Sequence, residues 1–127
     1  GEMARFMLAI KVVLADAYPI PTIVFDEIDV GVGGAIASSV GDRLVKLADK
    51  TQVLIITHSP QVAAKADQHI LVSKKLISSK SSSVDEKFET SITNLSKEER
   101  TEEIARMISG KKITDEARAA AISLLTI

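Results

Sequence analysis

The chain has 127 residues, 46% of them hydrophobic, and a net charge of −1 from 16 basic and 17 acidic side chains. That length sustains one core and argues against global disorder, and the charge balance excludes a basic field over the whole surface that would draw the chain onto nucleic acid. The absence of cysteine removes disulfides, cysteine-held zinc and thiol nucleophiles together and fits a reducing compartment, while the apolar runs are far too short to cross a membrane.

The first residues read as a helix. Met3, Phe6, Met7, Ile10, Val13, Leu14 and Ala17 recur at helical spacing up to about Tyr18, and Pro19 and Pro21 stop the pattern. No signal peptide is visible. The chain opens at Gly1 with Met3 already inside the helical pattern, so a piece of a longer protein is expected. Thr22-Ile23-Val24-Phe25 then runs apolar without alternation into Asp26-Glu27, the pattern of a strand buried on both faces. Gly31, Gly33 and Gly34 make a flexible turn before a second helix with Ile36, Val40, Leu44 and Leu47 on one stripe.

Gln52-Val53-Leu54-Ile55-Ile56-Thr57 repeats the buried-strand pattern and ends at His58. Ser59 and Pro60 read as the N-cap and first residue of a short helix to about Ala66, and residues 69–73 read as a third strand. The polar run of residues 78–83 is a loop or hairpin tip, and residues 87–95 form a more polar edge strand. Ser96 with Glu99 is a capping-box pattern for a helix ending at Gly110, and Thr114-Asp115-Glu116 opens a last helix. Helices alternating with apolar strands give an α/β fold around a mainly parallel sheet flanked by helices, with residues 1–127 as one unit.

In open α/β sheets ligands bind beyond the carboxyl ends of the strands. Two strands bring polar groups to that edge here: Asp26 and Glu27 from one, Thr57 and His58 from the other. A carboxylate there can hold Mg²⁺ through its water shell, and a second beside it can orient an attacking water or take its proton. A histidine nearby can donate to a terminal phosphate oxygen as charge develops. This is the equipment of phosphoryl transfer to water. Either strand end alone reads more simply as a strand meeting solvent; it is the two together, one followed by a glycine-rich turn, that point to chemistry. His69 has no acidic or hydroxyl motif near it and reads as structural.

In residues and order this arrangement resembles the head of ABC-type P-loop ATPases. Ile23-Val24-Phe25-Asp26-Glu27 is similar to the Walker B strand, Ile28-Asp29-Val30-Gly31 to the D-loop, Thr57-His58 to the H-switch, and Gly1-Glu2 to the tail of the signature motif. Transporter heads usually continue Walker B with Pro-Thr-Ser, where this chain has Ile28-Asp29. Phe25 to Gly34, Met7 to Lys11 and Ile56 to Ala64, continuing through Ala66-Asp67 and Val72-Ser73-Lys74, resemble instead the SMC-like RecN family of DNA repair proteins. The resemblance covers about the first 75 residues well and the rest in layout.

The resemblance implies the C-terminal part of an ABC/SMC-type head that hydrolyses ATP with Mg²⁺ in double-strand-break repair and recombination. Asp26 takes the metal role, Glu27 the base and His58 the switch, while Gly1, Glu2 and Asp29 contact nucleotide across a dimer of heads. It further implies an N-terminal half-head carrying Walker A, a second head as homodimer partner, DNA contact through the full protein, no membrane, and a bacterial cytoplasmic, nucleoid-associated setting. No G-x-x-x-x-G-K-[ST] loop occurs in the sequence, so this chain alone is expected to be inactive. Lys74, Lys75, Lys80, Lys111 and Lys112 read as solvated loop lysines before they read as a nucleic-acid surface. The alternatives are a head segment of another SMC, RecF-like or transporter ATPase, and a non-catalytic dimerisation module.

Overall fold

A computed structural model describes residues 2–18, 20–77 and 87–126. Helix α1 spans Glu2–Ala17, strand β1 Thr22–Asp26, α2 Gly34–Ala48 and β2 Gln52–Ile56. The short α3 spans Pro60–Ala63, β3 Ile70–Ile77, β4 Lys87–Asn94, α4 Lys97–Ser109 and α5 Asp115–Leu125. The Ser-rich segment expected as a loop lies outside the described residues.

β1 and β2 are parallel neighbours, in register from Thr22 opposite Gln52 to Asp26 opposite Ile56, with α2 as the connection between them. β3 and β4 form a separate antiparallel pair, from Ile70 opposite Asn94 to Ile77 opposite Lys87. The α/β class stands, and among the described residues parallel pairing is confined to β1–β2. β3 runs further than expected because Leu76 and Ile77 find ladder partners in Phe88 and Lys87.

One face of the parallel pair carries the core. Ile23 and Phe25 of β1 pack with Ala37, Val40, Leu44 and Leu47 of α2, with Ile28, and with Val62 of α3. Ala37 holds the place expected for Ile36, which is exposed. The opposite face overturns the expectation of strands buried on both sides: Val24 is 52% exposed, Leu54 44% and Ile56 56%. The described residues leave these side chains about half exposed, so β1 and β2 alternate where the sequence shows an unbroken apolar run. Met3, Phe6 and Val13 of α1 are likewise exposed.

A second cluster unites Ala63 and Ala64 with Ile104 and Ala105 of α4 and Ala117 and Ala121 of α5. The start of α4 shows the expected capping box, with Glu99 N–H donating to the Ser96 hydroxyl and Ser96 N–H donating to the Glu99 carboxylate. Arg100 Nη2 donates to the carbonyls of Ala63 at 3.2 Å and Ala64 at 2.8 Å, fastening α4 to the end of α3.

Candidate functional site

Each strand of the parallel pair stops where its ladder runs out, and the polar residues follow at once. The last ladder bond is donated by Glu27 N–H to the Ile56 carbonyl at 2.9 Å. Glu27 then adopts φ 46°, a left-handed conformation that is uncommon outside glycine and costs on the order of 1–3 kcal/mol where the surroundings impose it. The turn continues through Gly31 at φ 75°, and Gly34 brings the start of α2 against Gln61, whose Nε2 lies 3.4 Å from where a Cβ would sit. The glycine-rich turn thus lets residues 27–34 fold back beside residues 57–61.

Asp26 is the last residue of β1 and its side chain is exposed. Glu27 and His58 meet across the two strand ends, with His58 Nδ1 3.9 Å from Glu27 Oε1 and the side chains 71% and 60% exposed for His58 and Glu27. That separation is beyond a hydrogen bond and within range of an electrostatic contact when the imidazole is protonated. The structure therefore brings Asp26, Glu27 and His58 to one edge. The carboxylates of Asp26 and Glu27 fit Mg²⁺, which binds through one or two carboxylates and retains waters; no group of three or more metal-ligating side chains that would form a protein cage occurs among the described residues.

Asp29, expected near a second head, is held within this chain by a side-chain contact. It is 5% exposed, and its Oδ2 accepts a hydrogen bond from the Thr57 hydroxyl. Thr57 Oγ1 in turn accepts from Ser59 N–H at 2.9 Å. This contact was not legible in the sequence, because its partners stand 28 residues apart and lie in two separate motifs whose meeting depends on the fold. Ser59 occupies the N-cap position without capping α3, its hydroxyl donating to Gln61 Oε1 at 3.0 Å instead. Glu2 is the first residue of α1 and exposed, and Gly1 lies outside the described residues. Of the lysines, Lys74 places its ammonium 4.4 Å from the Phe88 ring centroid. Lys80 lies outside the described residues.

A depression of about 250 Å³ between α1 and the start of β1, lined by Lys11, Leu14, Ile20, Thr22, Ile23 and Val24, lies at the other end of the strand from these polar groups. No helix among the described residues is long and apolar enough to cross a membrane.

Comparison with known proteins gives one consistent set of relatives. The chain is 50% identical to the DNA repair protein RecN of Rickettsia felis over 125 residues, covering 98% of this chain and 22% of that protein. RecN of Streptomyces coelicolor is 45% identical over 98% of the chain and 21% of its own length. RecN of Bacillus subtilis is 41% identical over 98% of the chain and 20% of its own length. The chain thus spans about a fifth of the curated relatives it matches. A solved chain from work on the structural biochemistry of ATP-driven dimerization and DNA stimulated activation of SMC ATPases superposes with a TM-score of 0.64 at 27% identity, covering 88% of this chain and 62% of that one. No family model matches.

Proposed function

We propose that this chain, a segment of the RecN family of DNA repair proteins, forms the magnesium- and water-handling half of an ATP-hydrolysing head. The observation that carries the reading is the meeting of Glu27 and His58 beyond adjacent parallel strand ends, with Asp26 as the residue before Glu27. Glu27 orients the attacking water and takes its proton, and its exposure leaves it open to solvent and substrate. His58 donates to the terminal phosphate oxygen on which charge builds. Asp26 holds Mg²⁺ through its water shell, and the ion supplies neutralisation of the phosphate charge when bound.

The phosphate-cradling loop comes from a second half-head, which in this reading also covers the exposed apolar side chains Val24, Leu54 and Ile56. Gly1 and Glu2 close over nucleotide held by a second head, where the positive end of α1, which Glu2 opens, favours phosphate. The likeness to a protein described in terms of ATP-driven dimerization and DNA stimulated activation supports a two-head arrangement acting with DNA in repair. A bacterial cytoplasmic, nucleoid-associated setting follows from that role.

In the full-length protein Glu27→Gln keeps size and hydrogen bonding but cannot accept the water's proton. Turnover of ATP is expected to fall by ~10²–10⁴ while nucleotide binding holds. Equal turnover by the wild type and the variant would remove Glu27 from the mechanism.

A further inference from the structure

The ladder between β1 and β2 ends at the bond from Glu27 N–H to the Ile56 carbonyl. Beyond it both chains leave the sheet, so backbone pairing no longer fixes where His58 stands relative to Glu27. A side-chain contact takes over. The Thr57 hydroxyl donates to Asp29 Oδ2 and accepts from Ser59 N–H, so Thr57 is tied directly to the carboxylate and Ser59 to the same hydroxyl, on either side of His58. His58 itself remains 71% exposed, facing Glu27.

The carboxylate does not cap its own turn. The bonds recorded within that turn run from Val30 N–H to the Glu27 carbonyl at 3.3 Å and from Val32 N–H to the Asp29 carbonyl at 3.4 Å, backbone to backbone. A buried acidic group with no local capping task is costly unless it is hydrogen-bonded, and a charge-assisted bond at a site of low dielectric is a strong one. Asp29 Oδ1 has no hydrogen-bond partner among the described residues, which leaves the carboxylate with capacity for one further donor.

We propose that Asp29 and Thr57 form an internal latch that sets His58 against Glu27, so that Asp29 is a positioning residue acting inside its own chain. The inference rests on the reading of Glu27 and His58 as the water- and phosphate-handling pair. Through this latch, movement of the 28–31 turn carries over to the 57–59 segment and changes the spacing of the pair.

The test uses ATP turnover of the full-length protein, with thermal melting as the check on folding. Thr57→Val keeps the shape and removes the hydroxyl; kcat is expected to fall about tenfold or more, the scale of a small misplacement of a reacting group, with KM nearly unchanged. Thr57→Ser restores the donor and should recover kcat to within about twofold of wild type, since the charge-assisted bond is kept. Adding Thr57→Val to His58→Ala should cost nothing beyond His58→Ala alone, because residues that act as a unit are not additive. Wild-type kcat in folded Thr57→Val, or losses that multiply in the double variant, would overturn the latch. If Thr57→Val does not fold, Asp29→Asn reads the same contact: a kcat reduced about threefold at constant KM supports it, as expected for a weaker neutral bond, and an unchanged kcat overturns it. A His58→Ala protein with wild-type turnover would sink the reading of His58 itself and the latch with it, a result distinct from failure of the latch alone.

Discussion

The two faces of the β1–β2 pair have similar side chains and opposite surroundings. Phe25 is 1% exposed beneath α2, while its neighbour Val24, on the other face, is 52% exposed. Alternation along a strand sends successive side chains to opposite sides, so only one side of this pair is satisfied by the described residues. The covered side positions the site: α2 and the turn before it hold the strand ends at which Glu27 and His58 meet. The other side is apolar and about half exposed among the described residues, and this is the side on which the proposed second half-head sits.

The comparison breaks most sharply on Phe25. Phe25→Ala is expected to cost the 127-residue chain about 3–5 kcal/mol of unfolding free energy through lost burial and the cavity left behind. Val24→Ala in the same chain should stay within about 0.5 kcal/mol, as for other exposed positions. Placed in the full-length protein, Val24→Ala should rise to roughly 1–2 kcal/mol as its side chain becomes buried. Chemical denaturation of both variants in both contexts measures the difference. A Val24 substitution equally cheap in the intact protein would mean that the face stays in water there.

A smaller effect sharpens the contrast with the C-terminal cluster, which is covered within the chain itself. His69 lies half-buried beside Arg100 and Glu103. Burial holds its pKa below the usual histidine value, the Arg100 charge adds to that lowering, and Glu103 opposes it. The unfolded chain therefore binds the proton more readily than the folded one. Stability contributed by neutral His69 is full above about pH 6.5 and is lost as pH falls toward the folded-state pKa. Urea midpoints measured from pH 8 down to pH 5.5 should decline less in His69→Gln than in the wild type. Identical declines would remove His69 as a source of the acid sensitivity.

Much of this was legible in the sequence where the signal is local. Ser96 with Glu99 predicted a capping box, and both of its hydrogen bonds are present. Pro60 marked the start of α3, and the apolar runs ending at Asp26 and at Thr57 marked the two strands whose ends carry the site. What depended on the rest of the fold was not legible. An unbroken apolar run looks the same whether one or both faces are covered, so the exposure of Leu54 and Ile56 could not be read from it. The resemblance places Asp29 near a second head and says nothing of its bond to the Thr57 hydroxyl within the chain. Ser59 has the residue type of an N-cap, but its hydroxyl is taken by Gln61. Glu27 and His58 were legible as candidates from their strand ends; their 3.9 Å approach required the parallel register of β1 and β2.

The central claim is that this chain holds the water- and magnesium-handling side of a site whose phosphate loop lies elsewhere. The most direct measurement is ATP hydrolysis with Mg²⁺ by the 127-residue chain alone and after mixing with a half-head that carries a phosphate loop. With no loop of backbone amides and lysine around the phosphates, the chain alone should give no turnover above background. The mixture should hydrolyse ATP, and Glu27→Gln in this chain should abolish the gain. Robust, magnesium-dependent turnover by the chain alone would contradict the account.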